Sequence, residues 1–152
     1  MKAVTLNIVF WISVLSSFAQ TDVNKESVLK NSVNLNVGTF FIIYGVTFAA
    51  NYERVMSITK NGHIIGTGVS IEGLVTLDAY PIYVKFFGLF GKKNKKLELA
   101  LGVGTMVGNP DFRSFTISPL IGYRKYSLEN RSYFRTGIGL TEGIYFGGGF
   151  RF

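Results

Sequence analysis

From Val33 to the last residue the chain repeats one pattern: large apolar residues alternate with small or polar ones, a polar or glycine turn intervenes, and another alternating run begins. A period of about two places successive side chains on opposite faces of a strand, and no window carries the period of about 3.6 expected of a surface helix. The runs fall at 32–39, 45–56, 64–74, 81–90, 96–107, 114–126, 132–140 and 143–152. They predict an all-β fold, a closed antiparallel up-and-down barrel of about eight strands, the number at which side chains alone can fill the interior.

In the fifth run Leu97, Leu99, Leu101, Val103, Thr105 and Val107 share one face, opposite Glu98, Ala100, Gly102, Gly104 and Met106. The seventh sets Phe134, Thr136, Ile138 and Leu140 against Arg135, Gly137 and Gly139, and the third sets Ile65, Thr67, Val69 and Ile71 against Gly66, Gly68, Ser70 and Glu72. The last run, "GIYFGGGFRF", puts Ile144, Phe146, Phe150 and Phe152 on one side and Tyr145, Gly147, Gly149 and Arg151 on the other.

Two architectures carry such a pattern. A soluble sandwich or ligand-binding barrel turns the apolar face inward; a membrane barrel shows that face to lipid and encloses the polar one. The glycines favour the second. A wetted outer face has no use for them, whereas a narrow barrel needs room for long side chains that cross it. Those side chains are Glu53, Glu72, Lys85, Glu98, Arg124, Arg135 and Arg151, all on the polar phase of their runs. A Lys or Arg facing lipid near the midplane would cost ~2–4 kcal/mol, so the phase cannot slip by one residue, and enclosed charges of both signs are expected to pair. The expected interior is therefore a polar plug held by a charge network with a structural role.

Three departures qualify the pattern. Arg54 and Lys125 fall on the apolar phase, but near one end of the barrel, where a long side chain can snorkel. Pro119 lies inside the sixth run and removes a ladder donor, which predicts a bulge or break. The first run is weak, with Val33, Leu35 and Val37 alternating against Asn34 and Asn36.

The turns form two sets, alternating along the chain. "TKNGH" (59–63), "GKKNKK" (91–96) and "SLENR" (127–131) are charged and compact, and Asn61-Gly62 is a hairpin signal. "FFIIYG" (40–45), "VTLDAY" (75–80), "GNPDF" (108–112) and "TEG" (141–143) form the other set. An even strand count puts both chain ends beside the charged set, the expected periplasmic side. Phe40, Phe41, Tyr44, Tyr80, Phe112 and Phe115 gather toward one rim and Tyr52, Tyr123, Phe150 and Phe152 toward the other, as interfacial girdles would.

Composition narrows the chemistry. The absence of cysteine excludes disulfides, thiolate metal sites and a cysteine nucleophile, and 18 glycines with 15% aromatics exclude a disordered chain. "MKAVTLNIVFWISVLSSFAQ" has a basic start, an apolar core from Leu6 to Leu15 and a small-x-small site at Ser17-Phe18-Ala19. It reads as a cleaved export signal, residues 1–19, followed by a polar periplasmic leader, 20–31, and the barrel, 32–152. The run is shorter than the ~20 residues of a spanning helix. The formal charge of +7 becomes +6 once Lys2 is removed. Its one dense patch, Lys92, Lys93, Lys95 and Lys96, lies in a hairpin turn of an exported protein and points to headgroups or peptidoglycan rather than nucleic acid.

The chain resembles the small outer-membrane β-barrel proteins of Gram-negative bacteria, of the OmpA/OmpX size class, and more closely the functionally uncharacterised barrels common in the Bacteroidota. The likeness rests on "NYERV" (51–55), "GKKNKKLELALGVG" (91–104), "PLIGYRKY" (119–126), "YFRTGIGL" (133–140) and the terminal "GGGFRF". It implies a cell outer membrane location, contact with outer-membrane lipid and lipopolysaccharide, and a terminal strand, through Phe150 and Phe152, that serves as the signal for the barrel-assembly machinery. No cofactor is expected, and the expected state is a monomer.

Three functions fit this framework: a non-catalytic barrel with a structural or interaction role in the envelope, a small porin-like pore, and a lipid-A-modifying barrel enzyme. A secreted lipid-binding barrel is the soluble counterpart. Lumen charges argue for a plug over a pore. The enzyme would need a histidine with a serine near the outer rim, whereas the sole histidine, His63, lies in a charged turn. No metal cluster, phosphate loop or nucleophile-base pair is legible, so catalysis is not expected.

Overall fold

The computed structural model describes residues 30–39, 45–75, 79–108 and 115–152. The expected signal, residues 20–29 of the leader, and Phe40, Phe41, Tyr44 and Phe112 of the expected girdle lie outside the described residues.

Eight antiparallel strands follow one another around a closed barrel: β1 (Asn31–Thr39), β2 (Val46–Ile58), β3 (Ile64–Leu74), β4 (Ala79–Phe90), β5 (Lys95–Gly108), β6 (Phe115–Tyr126), β7 (Ser132–Gly139) and β8 (Gly143–Arg151). Each strand pairs with its sequence neighbour, and β1 pairs with β8. The weak first run is thus a full member of the sheet. Asn31 already belongs to it, its N–H donating to Phe152 C=O at 3.0 Å while Phe152 N–H returns a bond of 2.9 Å to Asn31 C=O. The charged turns and both ends of the sheet lie at one end of the barrel, and Thr141 and Glu142, between β7 and β8, lie at the opposite end.

Two local expectations need correction. Pro119 causes neither bulge nor break, since β6 pairs in continuous register with β5 through Leu101 and Pro119. The reason is its edge: the β6–β7 ladder runs only from Leu120–Gly139 to Tyr126–Tyr133, so the missing N–H falls just past its end, where Pro119 C=O still accepts from Leu140 N–H at 3.1 Å. The register shift occurs instead in β2, between Val55 and Ser57. At the Asn61-Gly62 signal the chain makes a hairpin in which Gly62 N–H bonds Thr59 C=O at 2.8 Å and Gly62 takes φ +77°, a conformation other residues avoid.

Strand alternation becomes inside and outside. Leu35 is 70% exposed, Phe146 60% and Ile138 59%, whereas Arg135 and Glu98 are 0% exposed. Thr67 departs from the pattern of its run, being buried with its hydroxyl bonded to Lys85 C=O at 3.0 Å.

The interior glycines have a steric purpose. Tyr133, Tyr83, Phe87 and Tyr145 are each registered directly against a glycine on the next strand: Gly149, Gly104, Gly66 and Gly137 respectively. A Cβ on Gly137 would collide with Ile121 C=O and lie 2.7 Å from Tyr145 Oη, and one on Gly122 would collide with that same Oη. The wall opposite each of these residues thus lacks a side chain, which leaves a narrow bore room for their rings and the charges between them.

Candidate functional site: the polar interior of the barrel

Arg124 on β6 is the centre of the half nearer the charged turns. Its Nη1 and Nη2 donate to Glu53 Oε2 and Oε1 at 2.6 and 3.0 Å, and its Nε and Nη2 donate to Glu98 Oε2 and Oε1 at 3.0 and 2.6 Å. One planar guanidinium thus forks onto a carboxylate of β5, its neighbour, and onto one of β2 on the far wall. Arg135, its registered partner on β7, sends Nη2 to Glu98 Oε1 at 2.8 Å and Nη1 to Asn34 Oδ1 at 2.7 Å, with Glu53 Oε1 at 3.7 Å. Two adjacent cations are tolerated because two carboxylates lie between them.

Rings and hydroxyls complete this layer. Arg124 stacks over Tyr133 and Phe87, with centroids at 5.0 and 5.6 Å, and Arg135 stacks over Tyr145 at 5.0 Å. Asn34 Nδ2 donates to Tyr133 Oη at 2.9 Å, Tyr133 Oη to Ser32 Oγ at 3.3 Å, and Ser32 Oγ to Glu53 Oε2 at 3.2 Å. Beneath lie Phe87, Leu89, Tyr126 and Tyr133, an apolar cluster inside the bore. Arg151 reaches the same mouth but stacks over Tyr126 at 4.4 Å, half-buried, and is absent from the carboxylate ion pairs. A cavity of about 40 Å³ remains there, lined in part by Ser32, Glu53, Arg124 and Arg151.

The opposite half is built on Lys85. Its Nζ donates to Asn51 Oδ1 at 2.7 Å and to Glu142 Oε1 at 3.4 Å, and Glu142 Oε2 accepts from Asn36 Nδ2 at 2.8 Å. Thr47 Oγ1 donates to Glu142 C=O at 3.0 Å, and the Ser118 and Thr141 hydroxyls lie 2.7 Å apart. Glu72 is buried here and accepts a 3.5 Å bond from Ser70 Oγ.

Sequence reasoning missed several of these groups. Glu142, in the "TEG" turn of the sequence, folds inward, 2% exposed. Lys96, one of the four lysines of the dense turn patch, is buried, its Nζ capping two turn carbonyls, Gly62 at 2.6 Å and Gly91 at 2.8 Å; Lys92, Lys93 and Lys95 are exposed. The interior tyrosines and asparagines lay on the polar phase, which was the available signal. His63 packs between turns: its Nδ1 accepts from Gly91 N–H at 3.4 Å and its ring lies 5.6 Å from Phe90. Among the described residues no group of three or more His, Cys, Asp or Glu could hold a metal ion.

This interior can hold opposite walls together and block passage. Comparison of the chain with protein-family models, with curated proteins and with solved structures finds no match.

Proposed function

We propose that the chain is a non-catalytic β-barrel of a bacterial outer membrane, with a structural or interaction role in the cell envelope and a bore plugged by its own side chains. The observation that carries this reading is the inversion of the two faces. The exposed surface bears Leu35, Phe48, Ile71, Phe86, Leu99, Ile121, Ile138 and Phe146, while arginine, lysine and glutamate fill the interior. Water would leave that apolar band uncovered; lipid covers it and makes enclosed charges the economical arrangement. Exposed Tyr80 and Phe115 near one rim, with Tyr52, Tyr123, Phe150 and Phe152 toward the other, support a barrel spanning between two interfaces. Its partners are outer-membrane lipid and lipopolysaccharide, with the barrel-assembly machinery during biogenesis, and it acts as a monomer without nucleic acid. A pore reading is disfavoured by the buried ion pairs that bridge β2, β5, β6 and β7.

The test is electrophoresis of detergent-folded protein with and without heating, together with circular dichroism. A band that shifts on heating, with β-type dichroism, supports the proposal. A protein that stays monomeric and soluble without detergent overturns it and favours a secreted lipid-binding barrel.

A further inference from the structure

The two halves of the interior differ in charge balance. Near the charged turns two arginines face two carboxylates, Glu53 and Glu98. In the other half, the described residues supply two buried carboxylates, Glu72 and Glu142, and one ammonium, that of Lys85, which pairs with Glu142. That ammonium is already committed to Asn51 and Glu142. Glu142 is satisfied through both oxygens, whereas Glu72, 1% exposed, has a long contact from Ser70 Oγ and the Thr141 hydroxyl nearby, and its Oε2 is unbonded among the described residues.

Other orphaned groups collect around it. Ser70, two residues before Glu72 and on the same face, is registered against Asn51 of β2 and Tyr83 of β4. The Tyr83 hydroxyl and Asn51 Nδ2 are both buried without a hydrogen-bond partner. Among the described residues, the charged groups facing Glu72 are Glu142 and Lys85, with Thr141 and Ser70 as hydroxyl neighbours and Tyr83 alongside from β4. A buried carboxylate in such surroundings is costly unless a positive charge accompanies it.

We propose that this cluster binds one monovalent cation at the Glu72 carboxyl: a proton, with the acid's O–H donating to one of the neighbouring hydroxyl oxygens, or an alkali-metal ion, with the Tyr83, Ser70 and Thr141 oxygens as its further ligands. One unit of positive charge balances Glu72, Glu142 and Lys85 and gives the unbonded carboxylate oxygen a partner. A divalent ion would overshoot the balance by one charge. The site goes beyond the membrane reading and does not depend on what the outer face meets.

The experiment uses the purified, folded protein. Infrared spectra are recorded near neutral pH for the wild type and Glu72→Gln, and thermal midpoints are measured for both in sodium, potassium or choline chloride at equal ionic strength. A protonated carboxylic-acid carbonyl band that is lost in Glu72→Gln identifies a proton. Its absence, with a wild-type midpoint raised by sodium or potassium over choline and an unresponsive Glu72→Gln, identifies an alkali ion. In either case Glu72→Gln melts at or above the wild-type temperature, while Glu142→Gln, which takes the ion pair from Lys85, melts below it. The proposal is overturned if the wild type shows neither band nor alkali dependence, a result that needs no variant to fold. It is equally overturned if Glu72→Gln keeps either signal or is destabilised as much as Glu142→Gln.

Discussion

Replacing Arg124 with alanine removes four charge-assisted hydrogen bonds and two stacked rings at once. Glu53 and Glu98 then share a single guanidinium, that of Arg135, which already divides its nitrogens between Glu98 and Asn34. Removing one partner of a buried ion pair typically costs about 3–5 kcal/mol, most of it from the carboxylate left behind. For a chain of this size that corresponds to a fall of roughly 10–15 °C in the unfolding midpoint. Because the group is buried, the loss should persist at high salt. The assay is urea unfolding of the protein folded into lipid vesicles, followed by dichroism and by the folded gel band, with planar-bilayer conductance measured in parallel. Arg124→Lys keeps the charge but not the fork, and should lose about 1–3 kcal/mol. In Arg124→Ala the strut across the bore is gone, and conductance should rise. A variant within about 0.5 kcal/mol of wild type, at unchanged conductance, would refute the claim that this network holds the walls together.

Two further outcomes are expected, one from the geometry and one from the resemblance to outer-membrane barrels. Gly137→Val should destabilise the barrel by about 1–3 kcal/mol or more, because its Cβ meets Ile121 C=O and the Tyr145 ring position; adding Tyr145→Ala should recover only part of the loss, since the backbone clash remains, and equal stability of Gly137→Val and wild type in urea titration would contradict this account of the glycines. Changing both Phe150 and Phe152 to serine should lower the amount of folded barrel recovered from cell envelopes several-fold while leaving detergent refolding in vitro nearly unchanged; an equal loss in both settings would assign these residues to stability rather than to assembly.

Much of the fold was legible because strand alternation needs no partner to be visible. The β3 bounds coincide with the sequence run, and all the others lie within two residues of theirs, since apolar outward positions stop where glycine and lysine turns begin. The inward phase of Glu53, Glu98, Arg124 and Arg135 followed from the same alternation, but which carboxylate meets which guanidinium did not, because Glu53 reaches Arg124 across the bore from β2. Glu142 was hidden for a different reason. It sits between β7 and β8, where the turn interrupts the period of two, so the phase could not be carried through to it. Pro119 misled because a missing N–H matters only where a neighbouring strand would use it, and the length of β7 is not written in β6. Lys96 lay on the inward phase two residues before Glu98, but the surrounding lysines drew it into the exposed patch.

The central claim is that the apolar face meets lipid. The chain contains no cysteine, so a single nitroxide label can be placed at will. Labels at Leu99, Ala100, Leu101, Ile121 and Phe146, in protein folded into phospholipid vesicles, would be read by electron paramagnetic resonance for collisions with oxygen and with a water-soluble nickel chelate. The account predicts high oxygen and low nickel access at Leu99, Leu101, Ile121 and Phe146, with low access to both reagents at the inward Ala100. High nickel access at the four outward positions would mean that water covers that face, and would contradict the membrane barrel.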